Sequence, residues 1–367
     1  MHLRLPRGTE SLLLEEAARH RAVARRLEQL YDRWGYLPAQ TPVVDFAELY
    51  QPLLPEETSR QAYRLIDREG ELLMLRADIT LFLAKQLGMR LSEQELPVRV
   101  CYADSILRYE ARHDISKNEF FQSGIELIGV PGVEGDMETL LILEESLAAA
   151  GAPAYALHVG SNALLRATVE SFAEPESGRL EVLRDMILGR RFDNLAQELS
   201  ESLPGRGDAD RREALLELYR LIGTHDEVKR ATETLRPNLT SGEIDALDYL
   251  LSLIHSLEEL RPSEQDRMLR VDLSEVGSRS YYTGVAFQTY VDRLDSAVAG
   301  GGRYDSLLAS FGFPAPSVGF SLLPRKIASL GKEEGETGSV ERAQGASFQE
   351  RYRAARRAHS EGRRARL

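Results

Sequence analysis

Apolar residues recur every three or four positions in three parts of the chain, the spacing that places them on one face of an α-helix. The first part ends just before Gly35, a residue type common at the C-terminal end of a helix. The third part is far longer than a single helix and predicts a block of packed helices. The predicted helical regions cover 10–34, 136–150 and about 176–260.

Shorter apolar runs on both sides of the helical block predict β-strands. The runs 62–66 and 72–75 flank a polar turn, which indicates a β-hairpin. The glycines at 300–302 predict a loop that leads into a helix over 305–311. The other predicted strands cover 98–103, 106–110, 120–128, 269–273, 281–290 and 296–299. Because the strands are grouped without βαβ alternation, we predict an α+β fold: an antiparallel sheet flanked by helices, with the helical block as an insertion.

The composition mainly excludes classes of protein. The 367 residues are 43% hydrophobic and 28% charged, with a net charge of -12 and a single cysteine, Cys101. No apolar run approaches the roughly 18–20 residues that span a membrane, and one cysteine allows neither an internal disulfide nor a cysteine-cluster metal site. Non-specific nucleic-acid binding requires clustered positive charge, which an acidic chain does not favour. We therefore expect a soluble cytoplasmic protein without a membrane partner.

The charge is divided unevenly along the chain. Residues 331–367 hold nine Lys or Arg against six Glu, a net +3, so residues 1–330 carry -15. The stretch 331–347 is rich in Gly, Glu and Ser and is predicted to be a linker, followed by a short basic helix over 348–359. We expect one body over 1–330 and a tail far shorter than a usual domain of about 100–150 residues.

Two groups of polar residues are candidates for ligand binding, each with a structural alternative. Asp78 and Thr80 follow a predicted strand, where a carboxylate beside a hydroxyl could receive an ammonium group, but both residue types also favour helix N-caps. Gln122 and Glu126 share one face of a predicted strand because side chains repeat every two residues. That face either lines a pocket or meets solvent, and Arg108 has the same two alternatives.

Standard catalytic and metal-binding motifs do not occur in the sequence. The histidines lack metal-ligand spacing, and the glycines at 300–302 match neither common nucleotide-binding pattern. Cys101 lies in an apolar strand and is predicted to be a small core residue rather than a nucleophile. We expect no cofactor and no bound metal.

Seven short motifs carry a family resemblance. In chain order they are PRGT at 6–9, WGY at 34–36 followed by TP at 41–42, LRADIT at 75–80, LRYE at 107–110, EFFQSGIE at 119–126, YYTG at 281–284 and GGRYD at 301–305. Together they cover about residues 5–327 and resemble histidyl-tRNA synthetase. The resemblance implies the class II aminoacyl-tRNA synthetase fold, usually a homodimer, with residues near Thr41 and Pro42 at the dimer contact.

The same resemblance implies a pocket for histidine. Asp78 and Thr80 would receive the ammonium group, while Glu126, Tyr282 and Tyr304 would surround the imidazole. A carboxylate and phenols suit an imidazole ring, which offers both a donor and an acceptor. The implied histidine-binding residues are Asp78, Thr80, Arg108, Gln122, Glu126, Tyr281, Tyr282 and Tyr304.

Groups with which the family activates histidine differ in this chain. The second catalytic arginine of the family aligns with Gly277, and the motif 3 arginine aligns with Lys326. Ser116 and Asn118 stand where the synthetase usually carries arginines. Each lost cation removes stabilisation of the negative charge that develops during adenylation, at a cost of several kcal/mol. We therefore expect no catalytic residues.

Two nearby arginines are candidates to replace the lost ones. Arg279 lies two residues beyond Gly277, which would place both on the same face of the predicted strand 281–290 and its approach. Arg325 adjoins Lys326. The sequence leaves both substitutions open.

A kept histidine pocket, altered activation groups and no complete anticodon-binding domain resemble the regulatory subunits of ATP phosphoribosyltransferase, a synthetase-like family. This implies a non-catalytic chain that binds L-histidine as effector and assembles, as a homodimer within a hetero-oligomer, with the short-form catalytic subunit. It would activate that subunit and convey feedback inhibition in the first step of histidine biosynthesis, without tRNA. The alternatives are a truncated histidine-activating enzyme acting on tRNA or another acceptor, and a module that binds another protein or RNA through its basic tail.

Overall fold

The computed structural model of the chain describes residues 5–6, 8–54, 56–109, 118–172, 178–205, 208–261, 267–330, 341–361, 363 and 365–366. Some positions that the sequence singled out lie outside the described residues. They are Glu110, Ser116 and residues 331–340 of the predicted linker.

Along the chain, most of the described strands lie before residue 162 or after residue 266, and the segment between these positions is mainly helical. The strands, numbered in chain order, are β1 (Leu37–Pro38), β2 (Val44–Phe46), β3 (Arg64–Ile66), β4 (Leu72–Leu75), β5 (Val98–Leu107), β6 (Glu119–Ile128), β7 (Tyr155–Ser161), β8 (Ile222–Gly223), β9 (Arg267–Asp272), β10 (Val285–Val291), β11 (Ala299–Arg303), β12 (Ser317–Leu322), β13 (Glu341–Arg342) and β14 (Ala365–Arg366). The helices are α1 (Leu14–Arg33), α2 (Glu56–Gln61), α3 (Ile79–Gly88), α4 (Gly132–Ala150), α5 (Asn162–Glu170), α6 (Arg179–Leu188), α7 (Phe192–Ser202), α8 (Ala209–Leu218), α9 (His225–Glu233), α10 (Ser241–Leu260), α11 (Pro324–Ala328) and α12 (Phe348–Ser360).

The central sheet has the strand order β1-β5-β6-β12-β11-β10-β7-β9-β8. Its neighbours are antiparallel except for the β1–β5 and β7–β9 pairs, which are parallel. The predicted α+β class is therefore confirmed, but the sheet is mixed rather than wholly antiparallel. A separate small sheet, β2-β4-β3, stands beside it.

The long helices and the hairpin confirm the sequence predictions. Helix α1 ends where Gly35 adopts the left-handed conformation (φ +80°), as expected for a residue that follows a helix C-terminus. Strands β3 and β4 pair antiparallel as the predicted hairpin. The helical block corresponds to α6–α10, and the short basic helix of the tail is α12. No described helix is long and apolar enough to span a bilayer.

The prediction of two separate strands between residues 98 and 110 is wrong, because polar residues lie inside a single strand. The runs 98–103 and 106–110 are one continuous strand, β5, paired with β6 along its whole length. Asp104 interrupts the apolar pattern, but it forms an ion pair of 2.8 Å with the buried Arg76. Arg76 also donates to the carbonyl of Ser105 through Nη2 at 2.7 Å. A partner elsewhere in the fold thus explains the polar residues.

The prediction for the glycine-rich segment is also wrong. The glycines at 300–302 lie within β11, which pairs with β10 on one side and β12 on the other. The predicted helix over 305–311 shrinks to a 3₁₀ turn at Leu308–Phe311, and the predicted strand 281–290 begins only at Val285. Residues 277 and 279 therefore lie in the loop between β9 and β10, so they do not share a strand face as predicted.

The sequence analysis missed β7 and α5. Tyr155, Leu157 and Val159 are buried at every second position, which is the period of a strand. Helix α5 follows at once, with Ser161 as its N-cap accepting a hydrogen bond from the Leu164 amide. The apolar residues at every second position and the N-cap serine were both visible in the sequence.

The main hydrophobic core lies on one face of the central sheet. Ile125 and Leu127 point into it from β6, and helices α1 and α4 pack over this face. Leu157 on β7 and Leu250 on α10 belong to the same continuous cluster, so the helical block shares the core of the sheet. The alternation along β6 leaves Glu126 on the opposite face.

A buried ion pair joins the sheet to two helices. Arg303 on β11 donates to Asp136 on α4 through Nε at 2.8 Å, and Tyr249 on α10 donates to the same carboxylate at 2.6 Å. Arg303 also donates to the carbonyl of Gly132 at 2.9 Å. Both charged side chains are almost fully buried, so Asp136 depends on Arg303 for compensation of its charge, while Arg303 also pairs with the more exposed Asp305 at 3.0 Å.

Replacing Asp136 should therefore destabilise the protein more than replacing the carboxylate of an exposed ion pair. We expect Asp136→Ala to lower the free energy of unfolding by about 3 kcal/mol, because it removes the buried counter-charge of Arg303 and leaves only the half-exposed Asp305 as its partner. Asp248→Ala is the matched control on α10, since its ion pair with Arg236 is exposed and should contribute less than about 1 kcal/mol. Urea denaturation of the two variants measures the difference, and equal losses would contradict the assignment.

Candidate functional site

A cavity of about 230 Å³ opens on the sheet face that carries Glu126, opposite α1 and α4. Residues that pair across neighbouring strands share a face, and Glu126 and Gly319, which pair in this way, both line the cavity. The cavity is smaller than the 300–1,000 Å³ range of drug-sized ligands. It suits a ligand of about the size of one amino acid.

Glycines allow functional side chains to lie flat against the backbone here. A Cβ atom at Gly319 would collide with the carboxylate of Glu126 on the neighbouring strand. Gly277 has a φ of +81°, and a Cβ atom there would collide with the ring of Tyr282. These two positions therefore require glycine for a reason that the strand pattern alone does not reveal.

Glu126 is the most deeply buried acid of the cavity, with 2% of its surface exposed. Its Oε1 accepts a hydrogen bond of 2.6 Å from the hydroxyl of Thr80, and its Oε2 accepts one from the phenol of Tyr304. Burial raises the pKa of Glu126 to about 8, although both hydroxyl donors act in the opposite direction. A ligand that donates a hydrogen bond or carries positive charge would relieve this unfavourable burial.

Asp78 is both a helix N-cap and a residue of the cavity wall, so the two alternatives that the sequence left open hold together. It is the N-cap of α3, where Oδ1 accepts from the amide of Leu81 at 3.1 Å. Its Oδ2 faces Arg279, whose Nη2 lies 3.2 Å away, and accepts a hydrogen bond of 3.4 Å from Tyr281. The capping interaction fixes the carboxylate, and the second oxygen stays on the cavity wall.

Three tyrosines form another wall. The ring of Tyr281 stands edge-on to those of Tyr282 and Tyr304, with centroid distances of 5.3 and 5.8 Å. Burial raises the pKa of all three phenols, and nearby carboxylates add to the shift. The hydroxyl groups therefore keep their protons and can both donate and accept.

Glu275 is a cavity residue that the sequence analysis missed. It follows β9, lines the cavity and is 6% exposed, and its Oε1 accepts from the amide of Gly277 at 3.2 Å. Burial raises its pKa to about 8, and the charge of Asp272 adds to the effect. Only the adjacent YYTG motif could have directed attention to it.

The structure brings all eight predicted site residues to this one cavity. Gln122 and Glu126 face the cavity rather than solvent, and Arg108 lies with its guanidinium carbon 5.4 Å from the ring centre of Phe120. Cys101 is instead buried, which confirms the prediction that it is a small core residue, and burial raises the pKa of its thiol to about 11. The residues brought together are Asp78, Thr80, Arg108, Gln122, Glu126, Tyr281, Tyr282 and Tyr304.

The positions that depart from the synthetase pattern lie in different places. Gly277 lines the cavity without offering a charge. Lys326 donates to the hydroxyl of Ser296 at 2.5 Å, and Arg325 lies over the ring of Phe121, 5.4 Å from its centre. Neither cation lines the cavity. Asn118 accepts a backbone hydrogen bond from Arg108 and is buried beside it.

The arrangement suits binding better than chemistry. A carboxylate and a guanidinium at one end can hold a zwitterionic head group, and Glu126 with the tyrosines can hold a polar ring. Among the residues described, no cluster of three or more His, Cys, Asp or Glu side chains could bind a metal ion. No histidine is among the described residues that line the cavity.

Known proteins share this fold and much of this sequence. The family model for histidyl-tRNA synthetase matches residues 8–327. The ATP phosphoribosyltransferase regulatory subunit of Moorella thermoacetica is 34% identical over 337 residues, which are 90% of this chain and 82% of that relative. The protein of the same name from Bacillus pumilus is 32% identical and covers 85% of this chain and 77% of its own length.

Solved structures agree on the fold. The ATP phosphoribosyltransferase regulatory subunit/histidyl-tRNA synthetase of Bacillus halodurans C superposes with a TM-score of 0.83 at 24% identity, over 100% of this chain and 92% of that one. The histidyl-tRNA synthetase of Nostoc sp. PCC 7120 has a TM-score of 0.78 at 18% identity, over 100% and 86%. The chain belongs to the histidyl-tRNA synthetase family, in the branch of the ATP phosphoribosyltransferase regulatory subunits.

Proposed function

We propose that this chain is the histidine-sensing regulatory subunit of an ATP phosphoribosyltransferase, without chemistry of its own. It holds one L-histidine in the cavity and assembles with a short-form catalytic subunit in the cytoplasm. It activates that subunit and transmits feedback inhibition by histidine. The observation that carries the proposal is the buried carboxylate of Glu126, placed between hydroxyl donors at the bottom of an amino-acid-sized cavity.

The cavity offers a partner for each polar group of histidine. Asp78 receives the ammonium group, assisted by the hydroxyl oxygen of Thr80, and Gln122 reaches the amino-acid backbone. Glu126 accepts a hydrogen bond from one imidazole nitrogen, and the phenol of Tyr282 serves the other. A ligand without an imidazole would leave buried groups unmatched, at about 1–3 kcal/mol for each.

Regulation follows from linkage between two binding events. If histidine binds one assembly state of the complex better than another, it shifts the population by that difference in affinity. The cavity wall supports such a difference, because Tyr281 and Arg279 come from the loop between β9 and β10, whereas Asp78 begins α3. A ligand that contacts both segments fixes their relative positions.

A second function, activation of histidine with ATP, is favoured by one observation. The cavity keeps two guanidinium groups, those of Arg108 and Arg279. Against it, Gly277 offers no charge, and Arg325 and Lys326 lie outside the cavity. Histidine-dependent exchange between ATP and pyrophosphate by the purified chain would establish this alternative and overturn our proposal.

Self-association is supported by an exposed apolar surface on the small sheet. Val44 and Phe46 on β2 and Leu65 on β3 are 38%, 43% and 41% exposed, and the strand register places all three on one face of the small sheet. Pro42, which the family resemblance places at the dimer contact, precedes them directly and is also exposed. Burying such a patch against a second copy would remove apolar area from water.

Reconstitution with a short-form catalytic subunit tests the proposed function. The full chain should co-purify with the catalytic subunit and raise its phosphoribosyltransferase activity, and L-histidine should suppress the raised activity. Failure to associate, or an activity that histidine does not change, would contradict the proposal.

Glu126→Gln should weaken histidine binding while leaving assembly intact. The amide keeps the shape of the side chain but loses the charge-assisted hydrogen bond to the ligand, so we expect about a 10- to 150-fold higher histidine concentration for half-maximal inhibition. Glu119→Gln, on the same strand but outside the cavity, is the control and should leave inhibition unchanged. Unaltered inhibition in Glu126→Gln would show that the cavity is not the histidine site.

The histidine affinity should be nearly constant between about pH 6.5 and 8. In this range the empty site holds a proton on Glu126, whose pKa is about 8, and free imidazole is neutral, so the complex needs no proton exchange with solvent. Above pH 8, binding requires the uptake of a proton from solvent, and below pH 6.5 it requires the release of one. The histidine affinity therefore falls by up to about tenfold per pH unit on either side of this range.

Calorimetric titrations at several pH values check this dependence. The decrease centred on pH 8 should become smaller in Glu126→Gln, which keeps only Glu275 as a cavity carboxyl group with a pKa of about 8. An identical decrease in both forms would assign it to Glu275 or to the amine of the ligand and contradict the role of Glu126.

Val44→Asp should convert the dimer into a monomer. A charge in the apolar patch would lose its water on association, which disfavours the contact. Val182→Asp is the matched control, because Val182 is 42% exposed but lies on α6 in the helical block. Light scattering after size-exclusion chromatography gives the mass of each variant, and a dimeric Val44→Asp protein would exclude this surface.

A further inference from the structure

One ion pair stands on the wall of the cavity and faces into it. Nη2 of Arg279 lies 3.2 Å from Oδ2 of Asp78, and the two side chains are 18% and 7% exposed. Asp78 is fixed from behind, because Oδ1 accepts from the amide of Leu81 at the start of α3. Its Oδ2 is therefore the oxygen that meets both Arg279 and the cavity.

Arg279 is the partner of this pair that no helix cap anchors. It lies in the loop between β9 and β10, whereas Asp78 is anchored by its helix. Both residues line the cavity, together with Tyr281, whose phenol donates to the same Oδ2 at 3.4 Å. A small movement of the guanidinium can separate the pair without disturbing the helix cap.

The two charges match the head group of a free amino acid. An α-amino acid carries an ammonium and a carboxylate on the same carbon atom, so its two charges are as close together as those of Asp78 and Arg279. Inserting this head group replaces one ion pair by two. An amine without a carboxylate occupies Asp78 but leaves the buried guanidinium of Arg279 without an acceptor, which is costly.

We infer that Asp78 and Arg279 together form the receptor for the α-ammonium and α-carboxylate groups, and that Arg279 is the residue that restricts the site to free amino acids. The inference rests on the proposed function and deepens it, since it adds a residue that the family resemblance did not supply. Of the two arginines that the sequence left as candidates, Arg325 is excluded by its position over Phe121, outside the cavity.

The test compares histidine with histamine, which has the same ring and amine but no carboxylate. Calorimetric titration of the full chain should show histidine binding at least about 10-fold more tightly than histamine, because only histidine satisfies Arg279. In Arg279→Met the histidine affinity should fall about 10- to 100-fold. The histamine affinity should stay equal or increase, since its amine no longer competes with Arg279 for Asp78.

Two further variants complete the design. Arg325→Met is the matched control and should preserve the preference for histidine. Arg279→Lys keeps the charge but not the forked geometry, so it should restore part of the preference, and it also serves if Arg279→Met does not fold.

The outcomes separate this inference from the proposed function. A wild-type chain that binds neither ligand contradicts the proposed function itself. A wild-type chain that binds histidine, with Arg279→Met losing both ligands equally or keeping the full preference, leaves the proposed function intact and overturns the role of Arg279.

Discussion

The burial of the Glu126 carboxylate is the constraint on which the site depends. The sheet places this acid on the face opposite the hydrophobic core, where little water reaches it, and burial raises its pKa to about 8. Two donors from distant segments, Thr80 and Tyr304, compensate part of the cost. In our proposal a ligand compensates the rest, so that a burial unfavourable in the empty protein contributes to affinity.

The register of the sheet makes this arrangement possible. Glu126 can lie flat only because Gly319 opposite it has no side chain, and Tyr282 can approach only because Gly277 has none. Tyr304 directly follows strand β11. The buried ion pair between Arg303 and Asp136 connects this strand to helix α4. In our proposal, the scaffold that would support adenylation in a synthetase here serves to bind an amino acid without the cations of the activation site.

The sequence predicted which residues lie together in the cavity better than it predicted the strands around them. All eight predicted residues line the cavity, because the motifs that carry them determine side-chain chemistry directly. The glycines of β11 looked like a loop because local propensity does not include the strands on either side. Asp104 divided β5 in the prediction because its partner Arg76 is distant in sequence. Glu275 and the contact between Arg279 and Asp78 depend on how a loop folds over the cavity, which no local pattern encodes.

The most direct test of the central claim is a calorimetric titration of the purified full chain with L-histidine in the presence of ATP and Mg²⁺, with pyrophosphate measured in the same sample. Our account predicts one histidine bound per chain and no histidine-dependent pyrophosphate. Absence of binding, or binding accompanied by pyrophosphate release, would contradict it.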